Sequence, residues 1–194
     1  MRVVLAAAAV TLTAAFAAQA GAAAPGPQCG GTLWKQMTLV DNKGINWNPQ
    51  TTTIGDIARL TAPSRITAAR TTSFQKQVWK MNDVVIERYR MASNGELVFE
   101  LYDVPHNTYM NAYVPGTSCM TPNAVIHKAL VKARNGFLNH CPAPTKDWQL
   151  LGAHAVIFGV GFWNPVKTTM GALGSGAELR PLVGLTITQG CGKF

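Results

Sequence analysis

Ser93-Asn94-Gly95-Glu96-Leu97-Val98-Phe99-Glu100-Leu101-Tyr102-Asp103-Val104 decides how this chain reads. Asn-Gly accepts the positive φ values that a tight hairpin turn needs. Beyond the turn, Leu97, Phe99 and Leu101 alternate with Glu100 and Tyr102, the period of a half-buried strand. Upstream, Val78 to Met91 holds Val84, Val85, Ile86 and Tyr89 and reads as a long strand entering the turn. Downstream, Val104-Pro105-His106-Asn107 is a second turn, and Thr108 to Val114 alternates again before Pro115-Gly116. Three strands in a meander follow.

The pattern then changes period. Ile126, Ala129, Leu130, Ala133 and Phe137 form an apolar helical stripe, with Lys128, Lys132 and Arg134 on the exposed side. Thr121 is the expected cap and Pro122 the first helical residue, where a missing N–H is harmless. Cys141-Pro142-Ala143-Pro144 stops the helix. Ala153 to Trp163 returns to strand, with His154, Val156, Phe158, Val160 and Phe162 on one face. That face is expected to join Phe99, Leu101 and Ile187 in the core, with His154 a hydrogen-bonded core histidine. Gly159 and Gly161 share the other face and mark a bulge or a close backbone approach. A Gly-rich loop, Asn164 to Gly176, leads to a last strand, Glu178 to Thr188, with Leu179, Val183, Leu185 and Ile187 inward.

The expected fold is mainly β with one central helix: an OB-like five-stranded barrel of order β-β-β-α-β-β. A ferredoxin-like arrangement needs a helix after the first strand, and a β-sandwich needs more strands. Before the barrel, Trp34 to Val40 reads as a short strand and Asn42 to Gln50 as a polar break at Asn48-Pro49. A short N-terminal helix is expected with Thr53 as cap, Asp56 three residues on, and Ile54, Ile57 and Leu60 on one side. Pro63 ends it.

The first residues carry an export pattern. Arg2 supplies the positive start, Val3 to Phe16 the apolar run, and Ala18-Gln19-Ala20 a small-residue cleavage site. The expected organisation is a signal peptide over 1–20, an N-terminal extension over 21–73 and the barrel over 74–194. No later stretch reaches about 18 continuous apolar residues, the length of a membrane span. An exported chain folds where disulfides persist. The cysteines are Cys29, Cys119, Cys141 and Cys191, and four allow three pairings. Cys119 and Cys141 bracket the helix and Cys29 and Cys191 lie near the ends, so the economical pairing is Cys119–Cys141 with Cys29–Cys191. Zinc is the rival, but no C-x-x-C occurs and the nearest histidine, His140, merely precedes Cys141.

The charge is +8, with 17 basic and 9 acidic side chains. Removing Arg2 leaves 17 − 1 = 16 basic residues and a charge of +7. Such a surplus favours an anionic partner, nucleic acid or acidic glycan, or simply keeps the chain dispersed. No G-x-x-x-x-G-K-[ST] phosphate loop, G-x-S-x-G elbow or H-E-x-x-H pair is present. No cofactor is implied.

In an OB-like barrel the loop between the fourth and fifth strands helps form the binding face. Here that loop is flanked by Trp163, Lys167, Glu178 and Arg180, which are the candidate ligand-binding residues. Trp163 would stack on a base or sugar while Lys167 and Arg180 meet an anion. The plain reading is a Gly-rich surface loop beside a same-face Glu178–Arg180 pair. Asp103 and His106 near one turn, with Asp83 and Glu87 on the adjacent strand, form the one carboxylate–imidazole grouping suited to acid–base or metal chemistry. Such residues are more often turn formers and solvated faces.

Taken in order, several stretches resemble a family of secreted, mostly bacterial, uncharacterised proteins. They are Cys29-Gly30 with Trp34-Lys35, Thr52-Thr53-Ile54 before Leu60 and Pro63, Val78-Trp79, Pro115 to Cys119, Gly159-Val160-Gly161-Phe162-Trp163, and Gly176 to Leu182. Members end the fourth strand in Gly-Phe-Phe-Asp, continue with His-Gly-Gln-Thr-Gly, and close with Glu-Leu-His-Pro-Val. This chain carries Gly161-Phe162-Trp163-Asn164 and Glu178-Leu179-Arg180-Pro181 instead, with no His-Gly-Gln. If the family's Asp and two His form a site, this chain keeps only Glu178 of it.

Three functions therefore stand together. The leading one is a secreted OB-like module binding an anionic or polymeric ligand without chemistry. The second is a secreted hydrolase, nuclease-like or another phosphoesterase. The third is a structural or interaction protein of the cell envelope.

Overall fold

The computed structural model describes residues 29–192, so the export pattern lies outside the described residues. Among the described residues the fold is mostly β, with three α-helices and six strands in one mixed sheet. The helices are α1 (Trp34–Met37), α2 (Ile54–Ala58) and α3 (Ala124–Leu138). The strands are β1 (Asn46–Thr51), β2 (Gln77–Met91), β3 (Leu97–Asp103), β4 (Thr108–Val114), β5 (Gln149–Trp163) and β6 (Ala177–Gln189). No helix among them is long and apolar enough to cross a membrane.

The sheet order is β1-β2-β3-β4-β6-β5, and β2 also pairs with β5. β2–β3, β3–β4 and β5–β6 are antiparallel, whereas β1–β2 and β4–β6 are parallel. β5 runs along one edge of β2 from Val78↔Val160 to Tyr89↔Gln149. On the other edge β1 pairs near Gln77–Lys80 and β3 takes over from Val85.

The element order differs from the expected one at the N-terminal end. Trp34–Met37 is helical rather than extended, and the polar stretch with Asn48-Pro49 forms β1. All of β1 is exposed, which suits a proline-bearing edge strand. α2 keeps the expected cap, the Thr53 side chain accepting from the Asp56 amide and Asp56 answering on the Thr53 amide, but it ends at Ala58 and leaves Leu60 exposed beyond it. The long helix starts two residues late. Asn123, not Thr121, caps it, its Oδ1 accepting from Val125 and Ile126.

The core joins Ile86 and Tyr89, Leu97, Phe99 and Leu101, Met110 and Ala112, Ala155 and Ile157, and Leu179, Leu182 and Leu185. Phe137 of α3 closes onto it, 4.9 Å from the Tyr89 ring and 5.0 Å from Phe99. Gly136 permits this approach, since a Cβ there would lie 2.2 Å from the Leu185 carbonyl oxygen.

β5 corrects the expected core face. Ala153, Ala155, Ile157 and Trp163 point inward, and Val156 and Phe158 are only half-buried. Val160 belongs to a second cluster with Leu39, Ile45, Val78, Ile126 and Leu130. Both faces of the strand are apolar, so alternation alone cannot choose between them. The glycines choose: a Cβ on Gly161 would meet the Phe74 carbonyl oxygen at 2.1 Å. His154 is consequently not a core residue. It stands on the outer face, its Nδ1 2.9 Å from Asp83 Oδ1.

All four cysteines are paired, but as Cys29–Cys119 and Cys141–Cys191. The expected Cys119–Cys141 and Cys29–Cys191 bridges are not formed. The 15-residue helix α3 lies between Cys119 and Cys141. At about 1.5 Å per residue it holds them roughly 20 Å apart, far beyond the roughly 7 Å that a disulfide spans between Cα atoms.

Candidate ligand-binding face

Alternation along β6 turns Leu179 inward and leaves Glu178 and Arg180 on the outer side of the sheet. The 164–176 loop starts against Glu178, which Asn164 hydrogen-bonds. It is pinned where it starts and ends, by Asn164 N–H to the Gly176 carbonyl at 2.7 Å and Gly176 N–H to the Leu173 carbonyl at 2.8 Å. Leu173 tucks into the core cluster. Gly171, at φ +74°, lies so close to the sheet that a Cβ would stand 2.8 Å from both Asn111 Oδ1 and Glu100 Cγ.

Beside this loop Arg180 grips Glu96 with two hydrogen bonds and reaches Glu178 Oε1 at 3.4 Å. Asn164 Nδ2 donates to the other Glu178 oxygen at 3.1 Å. The Arg180 guanidinium lies over the Tyr113 ring, 4.2 Å from its centroid. Burial pushes the Glu178 carboxyl up to about 7, against the opposing pull of Arg180 and Asn164. Burial likewise raises the Tyr113 hydroxyl.

The same outer face continues across β3 and β4. Tyr102 and Tyr109 are cross-strand partners with stacked rings 4.6 Å apart. The next pair inward is Glu100 opposite Asn111. Asn111 is 1% exposed, yet neither its amide nitrogen nor its oxygen has a hydrogen-bond partner among the described residues. Glu100 Oε2 accepts no hydrogen bond either, though Arg88 Nη1 stands 3.4 Å away. Burial raises the Glu100 carboxyl, with Arg88 opposing. Arg88 also reaches Met170 Sδ of the loop at 2.7 Å. A tyrosine platform, a guanidinium and an amide with unused capacity thus lie side by side.

The residues singled out from the sequence do not all converge. Glu178 and Arg180 meet. Lys167 is exposed on the covering loop. Trp163 departs from its expected stacking role: it is 1% exposed, 5.0 Å from the Phe74 ring, and its Nε1 donates to Thr72 Oγ1 at 2.9 Å. Its position follows from parity, because Phe162 takes the outer side. Asp103 is buried at the end of β3, where its Oδ2 accepts from the Gly55 amide at 3.1 Å and faces His106 Nδ1 at 2.9 Å. Asp83 and Asp103 share a small depression of about 150 Å³ with Thr51–Thr53. Glu87 does not line it. Among the described residues no group of three or more His, Cys, Asp or Glu is placed to hold a metal ion.

Sequence reasoning missed Arg88, Tyr109 and Asn111. The signal was present in the alternation that sets Glu100 and Tyr102 on one face, with the same period in Thr108 to Val114. No protein-family model matches the chain, and no curated protein matches it.

Proposed function

We propose that this chain is an exported, non-catalytic binding module built on an OB-like barrel, with the outer face of β3 and β4 as its ligand surface. The strand pairings support the barrel: β2, β3, β4, β6 and β5 follow one another, and β5 returns to β2. Counted within that cycle, β3 and β4 are the second and third strands and 164–176 is the loop between the fourth and fifth. Those are the parts with which OB-folds take oligonucleotides and oligosaccharides. In this reading residues 74–194 form the barrel, 21–73 precede it, and 1–20 direct export. Two disulfides fit an oxidising compartment.

The observation that carries the proposal is the Tyr102–Tyr109 pair standing beside the unpartnered amide of Asn111. Of the anionic polymers, an acidic glycan fits best. Sugar rings lie on aromatic faces, and beneath the edge of the loop the buried Asn111 amide keeps unused donor and acceptor capacity for a hydroxyl. Arg88 and Lys167 supply cations for a carboxylate. A nucleic-acid backbone asks for a row of cations, and here Glu87 and Glu100 interrupt it. The resemblance to the secreted family supports the absence of chemistry. Where that family has Asp and His, Asn164 and Arg180 stand, and both are bonded to Glu178.

The test is affinity electrophoresis and calorimetry with polygalacturonate and with single-stranded DNA. Polygalacturonate should bind with an affinity that falls with salt. Tyr109→Ala should weaken it by roughly 1–3 kcal/mol, the scale of one lost stacking contact. Retention of DNA alone would redirect the ligand class. Retention of neither would leave a structural role in the envelope.

A hydrolytic reading has one observation in its favour, a buried carboxyl raised to about 7. Turnover of a glycan or phosphodiester that Glu178→Gln abolishes would establish it.

A further inference from the structure

We infer that a second site, in the groove between α3, β1 and the β5–β6 ladder, binds a single-chain anionic amphiphile. This goes beyond the glycan reading and uses none of its residues. Two cavities adjoin there, of about 360 Å³ and about 280 Å³, and both are lined by Lys132, Leu185 and Thr186. The larger one is apolar: Trp47, Pro49, Val78, Phe158 and Val183 surround it. The smaller one brings the polar side chains of Asn135, Asn139 and His140 together with Leu185 and Ile187. Lys132, exposed on α3, stands at the junction.

Charge selects the occupant. No carboxylate lines either cavity. Among the described residues neither Lys132 nor Lys80 has an acidic partner within ion-pair distance. Lys80 Nζ lies 5.7 Å from the centroid of the Phe158 ring, which walls the apolar cavity. Trp47 remains 44% exposed on a strand that is exposed throughout, so a large aromatic surface stands uncovered at the mouth. An alkyl chain laid against Trp47, Phe158 and Val183 removes that surface from water. A carboxylate at its end meets Lys132, with the Asn135 and Asn139 amides lining the adjoining cavity. A neutral lipid leaves Lys132 unused, and an acidic sugar leaves the apolar cavity unfilled.

The test is a titration of the whole protein with submicellar decanoate, and with decanol as the neutral comparator, followed by amide and indole NMR shifts. Decanoate should move the Trp47 indole and the Gly184 and Leu185 amides in a saturable way. Lys132→Glu should weaken decanoate at least tenfold and decanol less than threefold. Trp47→Ala should weaken both about tenfold. Unmoved groove signals would overturn the site. Equal weakening of both ligands by Lys132→Glu would overturn the anionic head group. Because Tyr102 and Tyr109 lie outside this groove, their glycan response in Lys132→Glu reports separately on the other face.

Discussion

Arg180 holds Glu96 across 84 residues of sequence, through Nη2 to Oε2 at 2.5 Å and Nε to Oε1 at 3.2 Å. One partner begins the last strand and the other closes the first hairpin turn. The pair therefore locks the loop between β2 and β3 to the strand that pairs parallel with β4. Both side chains are nearly buried. Removing Glu96 leaves Arg180 inside with only its longer contact to Glu178, and breaking a buried pair costs about 3–5 kcal/mol. Glu96→Ala should lose that much in urea unfolding. A loss below about 1 kcal/mol would show that water reaches the pair.

Glu178 gives the fold a pH dependence of definite sign. Its carboxyl is raised from the ordinary 4.5 to about 7 in the folded state. Between those values the folded chain binds the proton that the unfolded chain releases. Stability from this group is thus complete below about pH 4.5 and is lost as pH rises through 7. The loss is on the order of 3 kcal/mol. Wild type should lose stability between pH 5 and pH 8 by this amount relative to Glu178→Gln, in which the group cannot titrate. Parallel stability curves for the two proteins would refute the assignment.

Core contributions separate the two faces of β5. Phe99→Ala should cost roughly 3–5 kcal/mol, because its ring is fully buried against Phe137. Phe158→Ala should cost clearly less, since Phe158 is half-buried at the rim of the second cluster. Equal losses would return Phe158 to the main core.

The meander was legible because Asn94-Gly95 and strict alternation act locally and agree with each other. The β5 faces were not, because Phe158 and Ile157 are equally apolar and only the carbonyl of Phe74 against Gly161 decides between them. That contact joins residues far apart in sequence. β1 was hidden for a related reason: its hydrogen bonds come from its neighbour, not from its own propensities. Glu178 and Arg180 could be placed on one face by their spacing. Glu96, which completes the network, reaches them only through the parallel β4–β6 pairing.

Non-reducing peptide mapping should recover Cys29–Cys119 and Cys141–Cys191. The second bridge ties the segment after α3 to the segment after β6, closing a separation of 50 residues. Replacing both Cys141 and Cys191 by serine should cost about 2–5 kcal/mol. Recovery of a Cys119–Cys141 peptide would contradict the placement of α3 between them.

Gly171 tests whether the 164–176 loop governs the proposed face. Its φ of +74° already disfavours a side chain, and a Cβ would press on Asn111 Oδ1 and Glu100 Cγ at 2.8 Å. Asn111 and Glu100 are both buried, so Gly171→Ala should lift the loop rather than displace them. Lifting it lets water reach the unpartnered amide and breaks the Met170 contact with Arg88. Stability should fall by roughly 1–3 kcal/mol, the range for a strained backbone position. Hydrogen exchange should quicken in residues 169–173 while β3 and β4 stay protected. Gly174→Ala is the control: its φ is ordinary and nothing lies within 4 Å of the added methyl, so it should match wild type. If the face binds glycan beneath the loop's edge, Gly171→Ala should tighten binding per folded molecule, because the loop no longer covers Asn111. Weaker binding in Gly171→Ala would mean that the closed loop itself forms part of the surface.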